Sequence, residues 1–419
     1  MSAGGPVAGG PEEEVPKVYD VLAGVRVIEV SLWGFVPSAA TTLADWGADV
    51  VKVVHPETGD PMQTAVVGGV PPVDDGTSFM WELANRGKRS VGIDLSDPRG
   101  RGLLDVLLDG ADVFLTSLLP DARERLRIDV DDICGVNPTI VYARGSAKGP
   151  VGPEHRSGGY DALDYWGRSG LGYTVAEATG DFLPQPGPAM GDLSAGVMLA
   201  GGIAAALVRR ARTGIGAVVD SSLLAAGIWA NAPSVVASEL TGIRGIPARR
   251  DGVNPVYRAY RTADDRHLFF SAMNADSAWE EFCGRLGRPD LVADARFGSH
   301  ADRVAHSTEL ADVLQEILGS RPLADWRVRF DGMRMPWTAL QSSDEVHADR
   351  QAVANGYLPS SRVSSGREMR TVATPLQFDG EPLGVTRAPT HAEHTDEVLG
   401  EVGLTMEELL ELKIAGVIT

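Results

Sequence analysis

Short β-branched runs alternate with helix-permissive stretches along the first half of the chain. Val25-Arg-Val-Ile-Glu-Val30 and Asp49-Val-Val-Lys-Val-Val54 read as strands, and residues 37–46 between them tolerate a helix, which makes a βαβ unit. The alternation continues with a strand at 91–95, a helix at 97–109, a strand at 111–116, a short helix near 122–126 and a strand at 139–143. Strands alternating with helices predict an α/β fold whose large domain is a Rossmann-like, doubly wound parallel sheet, with its ligand site at the carboxyl ends of the strands.

Residues 145–191 are rich in Gly and Pro with scattered aromatics, which suits long loops over a site. A helix is then expected over 193–212, with Asp192 as its cap and Gly214 as its stop. A strand at 217–220 and a helix ending near 230 follow. His267-Leu-Phe-Phe-Ser271 and amphipathic helices around 278–286 and 309–317 suggest a small α/β domain, and a final helix is expected over 405–414. The expected organisation is a disordered tail at 1–20, a large domain at 21–230 completed by 345–419, a linker at 231–254, a small domain at 255–334 and a return segment from 335 to 419.

Composition narrows the function classes. The 419 residues carry a formal charge of -19, a field that repels polyanions, so nucleic acid is not an expected partner. Cys134 and Cys283 are far apart and outside any C-x-x-C pattern, which argues against a disulfide framework and a structural zinc site and fits a reducing, cytoplasmic setting. The N-terminal stretch has no basic start or apolar core of a signal peptide, and no apolar run reaches the roughly 18 uninterrupted residues of a membrane span.

The segment after the first strand, Ser31-Leu-Trp-Gly-Phe-Val-Pro37, lacks the glycine fingerprint of dinucleotide binding, and no P-loop, H-E-x-x-H or G-x-S-x-G pattern occurs. His391-Ala-Glu-His394 has the spacing of a metal pair, but spacing alone supports it, and a solvated stretch before the last helix is the better reading; no metal is expected.

Pro188-Ala-Met-Gly-Asp-Leu-Ser-Ala-Gly196 is the strongest local signal, a Gly-rich turn delivering one carboxylate to the start of an apolar helix. Residue types leave two readings open. Asp is a favoured N-cap. An ionised Asp at a helix N-terminus, with small neighbours, is also a nucleophile with room for an acyl group. Asn85-Arg-Gly-Lys-Arg-Ser90 concentrates three cations, either as a solvated loop or as a phosphate clamp. Tyr160 is either a packed aromatic or a hydroxyl that polarises a carbonyl, and Arg125 is either a surface residue or a nucleotide contact.

In order along the chain, Leu22-Ala-Gly-Val-Arg-Val-Ile-Glu-Val30, Leu43-Ala-Asp-Trp-Gly-Ala-Asp-Val-Val-Lys-Val53, Gly59-Asp60, the stretch 85–95, Ala111-Asp-Val113, Asn137-Pro138, Gly159-Tyr-Asp161, Gly191-Asp192, Thr213-Gly-Ile-Gly216, Val219-Asp-Ser-Ser-Leu-Leu224, His394-Thr-Asp-Glu-Val398 and Ala415-Gly-Val-Ile418 resemble the family III CoA-transferases. That family includes formyl-CoA transferase, the carnitine and bile-acid CoA-transferases and the 2-methylacyl-CoA racemases. The resemblance runs from about Leu22 to the C-terminus.

The resemblance implies a CoA-transferase that moves CoA from an acyl-CoA to a carboxylic acid through covalent aspartyl intermediates, with no tightly bound cofactor and with coenzyme A arriving as part of the substrate. It also implies an interlocked homodimer. Asp192 matches the family nucleophile, with Gly34 and Tyr160 around the reacting carbonyl. His55, Arg86, Lys88, Arg89 and Arg125 are then candidates for the nucleotide end of CoA. The racemases carry a His where this chain has Tyr160, which favours transfer over a racemase or epimerase, since one Asp does not readily run two-base epimerisation. A non-catalytic CoA-binding protein is the third reading. His55 and Ser117-Leu-Leu-Pro120 depart from the family pattern, and Arg-Arg-Asp-Gly-Val-Asn at 249–254 replaces a glycine run, which disfavours oxalate and formate.

Overall fold

In a computed structural model of the chain, residues 18–179, 183–242 and 254–419 are described. Two compact units emerge. The first comprises Met1–Tyr173, Phe182–Gly242 and Arg350–Thr419, and the second comprises Thr174–Asp181 and Ile243–Asp349.

The first unit is built on six parallel strands in the order β3-β2-β1-β4-β5-β6. They are β1 (Arg26–Val30), β2 (Asp49–Val54), β3 (Arg89–Gly92), β4 (Val113–Thr116), β5 (Val141–Ser146) and β6 (Ala217–Ser222). This is the doubly wound order expected of a Rossmann-like sheet, in which the connections reverse between β1 and β4. Successive side chains on a strand face opposite ways, so each strand feeds two cores. Val27, Val50, Val113 and Val141 pack on one face with α1 (Phe35–Asp45) and α7 (Met190–Thr213). Ile28, Val51, Phe114 and Tyr142 pack on the other face with α3 (Pro98–Asp109), α5 (Val130–Val136) and the C-terminal residues Val398, Leu399, Leu409 and Ile418. Burial on both faces explains the near-continuous apolar runs of these strands.

Between these elements lie α2 (Phe79–Asn85), α4 (Pro120–Leu126) and α6 (Leu171–Thr179), and α8 (Leu223–Ala230) follows β6. Several expectations are corrected. Residues 145–191 are not all loop, since they hold a π-helical turn, Ala162–Arg168, as well as α6. Most of the expected linker that is described is helical, Ala232–Thr241, while 243–253 lie outside the described residues. By length and apolarity alone α7 could cross a membrane. Its contacts are those of a core helix: a Cβ on Gly196 would fall 1.9 Å from Ser38 Oγ, so α7 and α1 touch through a glycine.

The second unit has its own core around Phe270, Phe282, Trp326 and Phe330 and an antiparallel sheet of Tyr257–Arg261, His267–Ser271 and Trp337–Ala339. The return segment therefore does not start at 335. Trp337 pairs with Phe270 in the sheet and Met335 is buried in the same core, which holds the chain in this unit past 334.

Candidate active site

The carboxyl end of the sheet opens a cavity of about 530 Å3 around Asp192. Helix α7 begins at Met190, its N-cap is Ala189 in the left-handed region (φ 58°), and Asp192 lies in the first turn without capping it. This corrects the expected N-cap. Asp161 takes that role instead, accepting from the Gly191 N–H at 3.3 Å and from Gln185 Nε2 at 2.7 Å. Gly191 is required here, because a Cβ would lie 2.6 Å from the Tyr165 ring.

Freed from capping, the Asp192 carboxylate rests against Gly34. A Cβ at Gly34 would be 2.4 Å from Asp192 Oδ2. Gly34 starts α1 without a side-chain cap, so the first-turn N–H groups of Phe35 and Val36 have no intrahelical acceptor. Among the described residues no hydrogen bond reaches the Asp192 carboxylate. Burial, reinforced by the negative charge of Asp161, pushes its pKa up to about 7. Against the expectation of a carboxylate held ionised by the helix terminus, burial moves its pKa upward.

Trp33 precedes Gly34 at φ 71°, a left-handed conformation that is uncommon for a large side chain. Its indole meets Tyr160 edge to face, with centroids 6.1 Å apart, and both rings line the cavity. The Trp33 N–H donates to Asp60 Oδ1 at 3.3 Å. Behind this loop lies a buried group of four charges. Lys52 Nζ is 3.0 Å from Glu29 and 3.1 Å from Asp60, and Lys88 Nζ is 2.8 Å from Glu29. Lys52 also donates to the Ser31 carbonyl, and Lys88 to the Pro37 carbonyl, both at 2.9 Å. The four side chains thus clamp the loop between β1 and α1 at both ends. Glu29 and Lys52 are register partners on β1 and β2, which is why two charges meet inside an apolar sheet. Despite its burial, Glu29 titrates lower than usual because of Lys52 and Lys88.

The three cations of the expected phosphate clamp are each engaged by acidic side chains of this chain. Arg86 is buried and grips Asp45 with two hydrogen bonds, at 3.1 and 2.7 Å. Lys88 belongs to the buried group of four. Arg89 grips Asp49 at 3.0 and 2.7 Å and also reaches Glu397 and Glu401. Acidic residues from distant segments satisfy each one. His55 and Arg125, by contrast, meet in a second cavity of about 260 Å3 with Thr58, Asp94 and Ser96. Arg125 is exposed and, among the described residues, has no carboxylate partner. This cavity and the one around Asp192 share Leu32 and Leu118.

His391 and His394 are spent on the backbone, facing the Pro56 carbonyl and the Ser90 N–H, and no metal-ligating cluster occurs among the described residues. Sequence reasoning missed the roles of Asp161, Asp60, Lys52 and Glu29. Glu29 in Val-Ile-Glu-Val and Lys52 in Val-Val-Lys-Val-Val offered a signal, since a charge inside a buried strand demands a partner.

Residues 22–395 match the family described as CoA-transferase family III. The chain belongs to this family. It is 30% identical over 402 residues to the (R)-2-hydroxy-4-methylpentanoate CoA-transferase of Clostridioides difficile, covering 95% of this chain and 99% of the relative. It is 28% identical over 398 residues to the cinnamoyl-CoA:phenyllactate CoA-transferase of Clostridium sporogenes, covering 94% of this chain and 96% of that one. A crystal structure of a CaiB/BaiF family protein from Brucella suis superposes with a TM-score of 0.78 at 25% identity, over 91% of this chain and 99% of that one. As a family III CoA-transferase, the chain acts on CoA thioesters.

Proposed function

We propose that the protein moves CoA from an acyl-CoA to a carboxylic acid, with Asp192 as the covalent nucleophile. One observation carries the reading: a carboxylate without hydrogen bonds from described residues, on the wall of a cavity, beside the uncapped start of α1. A group meant only to stabilise the fold would be bonded; this one is left able to react. The relatives' acids, 2-hydroxy-4-methylpentanoate and phenyllactate, support a carboxylic acid as acceptor.

The steps balance without an external energy source. Asp192 Oδ attacks the thioester carbonyl, the C–S bond breaks, and CoA leaves as the thiolate, giving a mixed anhydride. The thiolate attacks the Asp192 carbonyl and releases the donor acid, leaving an aspartyl-CoA thioester. The acceptor carboxylate then attacks that carbonyl and expels the thiolate, which takes the acceptor acyl group and frees Asp192. Each tetrahedral intermediate places an oxyanion near α1, where the N–H groups of Phe35 and Val36 are the candidate donors. Tyr160 closes the acyl side. His55 and Arg125 hold the nucleotide end, and the pantetheine passes between Leu32 and Leu118.

We assign the protein to the cytoplasm, with Cys134 and Cys283 free. We also place two chains in an interlocked dimer. Trp229 (73% exposed) and Leu240 (80% exposed) give the first unit apolar surface for a partner. Subunit exchange between two tagged native dimers would argue against interlocking.

The test of the mechanism is trapping. Incubation with an acyl-CoA and hydroxylamine, followed by peptide mass spectrometry, is expected to find a hydroxamate at Asp192. An unmodified Asp192 during active turnover would rule it out as the nucleophile.

A further inference from the structure

We infer that the acids served by this site carry uncharged alkyl or aryl bodies, tolerate a hydroxyl group, and exclude a second carboxylate. The inference rests on the transfer reading above and adds a substrate class to it.

The cavity around Asp192 is walled by Leu32, Trp33, Leu118, Leu119, Leu163 and Leu223, and among the described residues no Lys, Arg or His lines it. Among the described residues, its one charged wall residue is Asp192 itself. A distal carboxylate entering here would leave water for an apolar wall and find a like charge rather than a cation. A site without a partner for a charged group discriminates far more strongly than a methylene misfit does. Neutral polar groups fare better. The Ser146 hydroxyl accepts from the Gly149 N–H at 3.0 Å and keeps its own proton to donate, and the Tyr160 hydroxyl also lines the space. A volume of about 530 Å3 is ample for a branched chain or a phenyl ring.

The adjoining cavity tests this argument, because it is lined by Arg123, Arg144 and Arg156 and shares Ser117, Leu119 and Ser146 with the first. A long diacid reaching into it would still meet, among the described residues, no unpaired guanidinium, and the one histidine there, His155, faces the Gly152 carbonyl through Nδ1 at 2.8 Å. Arg123 is held by Asp129 and the Leu118 carbonyl, Arg144 by Asp220, and Arg156 by Asp121 and Glu124. Glu124, Asp129 and Asp220 line that cavity too, which balances its three guanidiniums.

Identity exchange separates the possibilities without knowledge of the natural pair. Each acyl-CoA is mixed with its own isotopically labelled acid, and label entering the thioester is followed. Exchange with 3-phenylpropanoate and 4-methylpentanoate is expected to exceed that with succinate and glutarate by about 100-fold in kcat/KM, which corresponds to about 2.7 kcal/mol. A ratio below tenfold overturns the inference and leaves the transfer reading standing. No exchange with any acid, together with no hydroxamate at Asp192, sinks both. Leu163→Arg adds a cation to the wall at a side chain already 62% exposed. It is expected to raise the glutarate-to-phenylpropanoate ratio at least tenfold, and an unchanged ratio counts against the inference.

Discussion

Glu29 and Asp192 are both carboxylates withdrawn from bulk water, and the protein treats them oppositely. Glu29 lies at the centre of the sheet between two lysines, and its pKa is lowered. Asp192 lies on a cavity wall where, among the described residues, Asp161 is the one charge acting on it, and its pKa is raised to about 7. Pairing makes the first a structural anchor, and the lack of pairing is what supports the proposed role of the second as a reagent. The two should also give opposite pH dependence of stability. Glu29 stabilises the fold above its unfolded pKa, and that contribution is lost as pH falls through its lowered folded value. Asp192 ionises near 3.8 in the unfolded chain and near 7 in the folded one, so between these values the folded state holds the extra proton. Its effect on stability therefore worsens as pH rises through that window and is fully unfavourable above 7.

The contrast is broken most directly at Asp192. Asp192→Asn is expected to lower kcat for CoA transfer by about 10^3-fold or more, the scale of losing a covalent nucleophile. The same change should raise stability at pH 8 and leave it nearly unchanged at pH 4. The gap between 3.8 and about 7, at about 1.4 kcal/mol per pH unit, sets an upper bound of about 4 kcal/mol, and partial access to solvent reduces it. Denaturant melts at the two pH values check this, and equal shifts at both would contradict it. Glu29→Gln should instead cost about 3–5 kcal/mol, because it strands buried lysines. A urea melt showing a loss under about 1 kcal/mol would mean that water reaches the group of four.

Gly34→Ala sharpens the comparison from the side of geometry. A methyl placed 2.4 Å from Asp192 Oδ2 displaces the carboxylate, with an expected loss of about 100-fold in kcat/KM. The pH profile comes next. Log kcat/KM should rise with pH at a slope near one until about 7 and then level, as the reactive anion forms. Asp161→Asn, which removes the neighbouring negative charge, should move that inflection down by up to about one pH unit. Smallest is Arg125→Ala, expected to raise KM for acyl-CoA about tenfold, the scale of a charge-assisted hydrogen bond. Arg86→Ala should lower stability and leave KM alone, which separates a free cation from a structural one.

Much of the fold was legible. The alternation of β-branched runs with helix-permissive stretches gave the strands of the parallel sheet to within a few residues, because strands buried on both faces are continuously apolar. Residues 145–191 were read as loop because Gly and Pro usually break helices. Ala162–Arg168 and Leu171–Thr179 form there nonetheless, since Tyr165 and Trp166 are buried. At the site, Asp192, Gly34 and Tyr160 were found and do line one cavity. Arg86, Lys88 and Arg89 looked equivalent to Arg125 in the sequence, and only their partners tell them apart.

The sequence by itself determined the sheet and the family and singled out Asp192 as the candidate carboxylate, because each is written in local periodicity or in an ordered series of short motifs. Only the tertiary structure decided what that carboxylate is. Its raised pKa depends on Asp161, thirty-one positions away, taking the cap and on Gly34 leaving it room. Which cations are free was likewise decided by Asp45, Asp49, Glu29 and Glu401, residues brought together by folding rather than by spacing. Burial and charge pairing are properties of neighbours in space, and a chain of letters does not rank those.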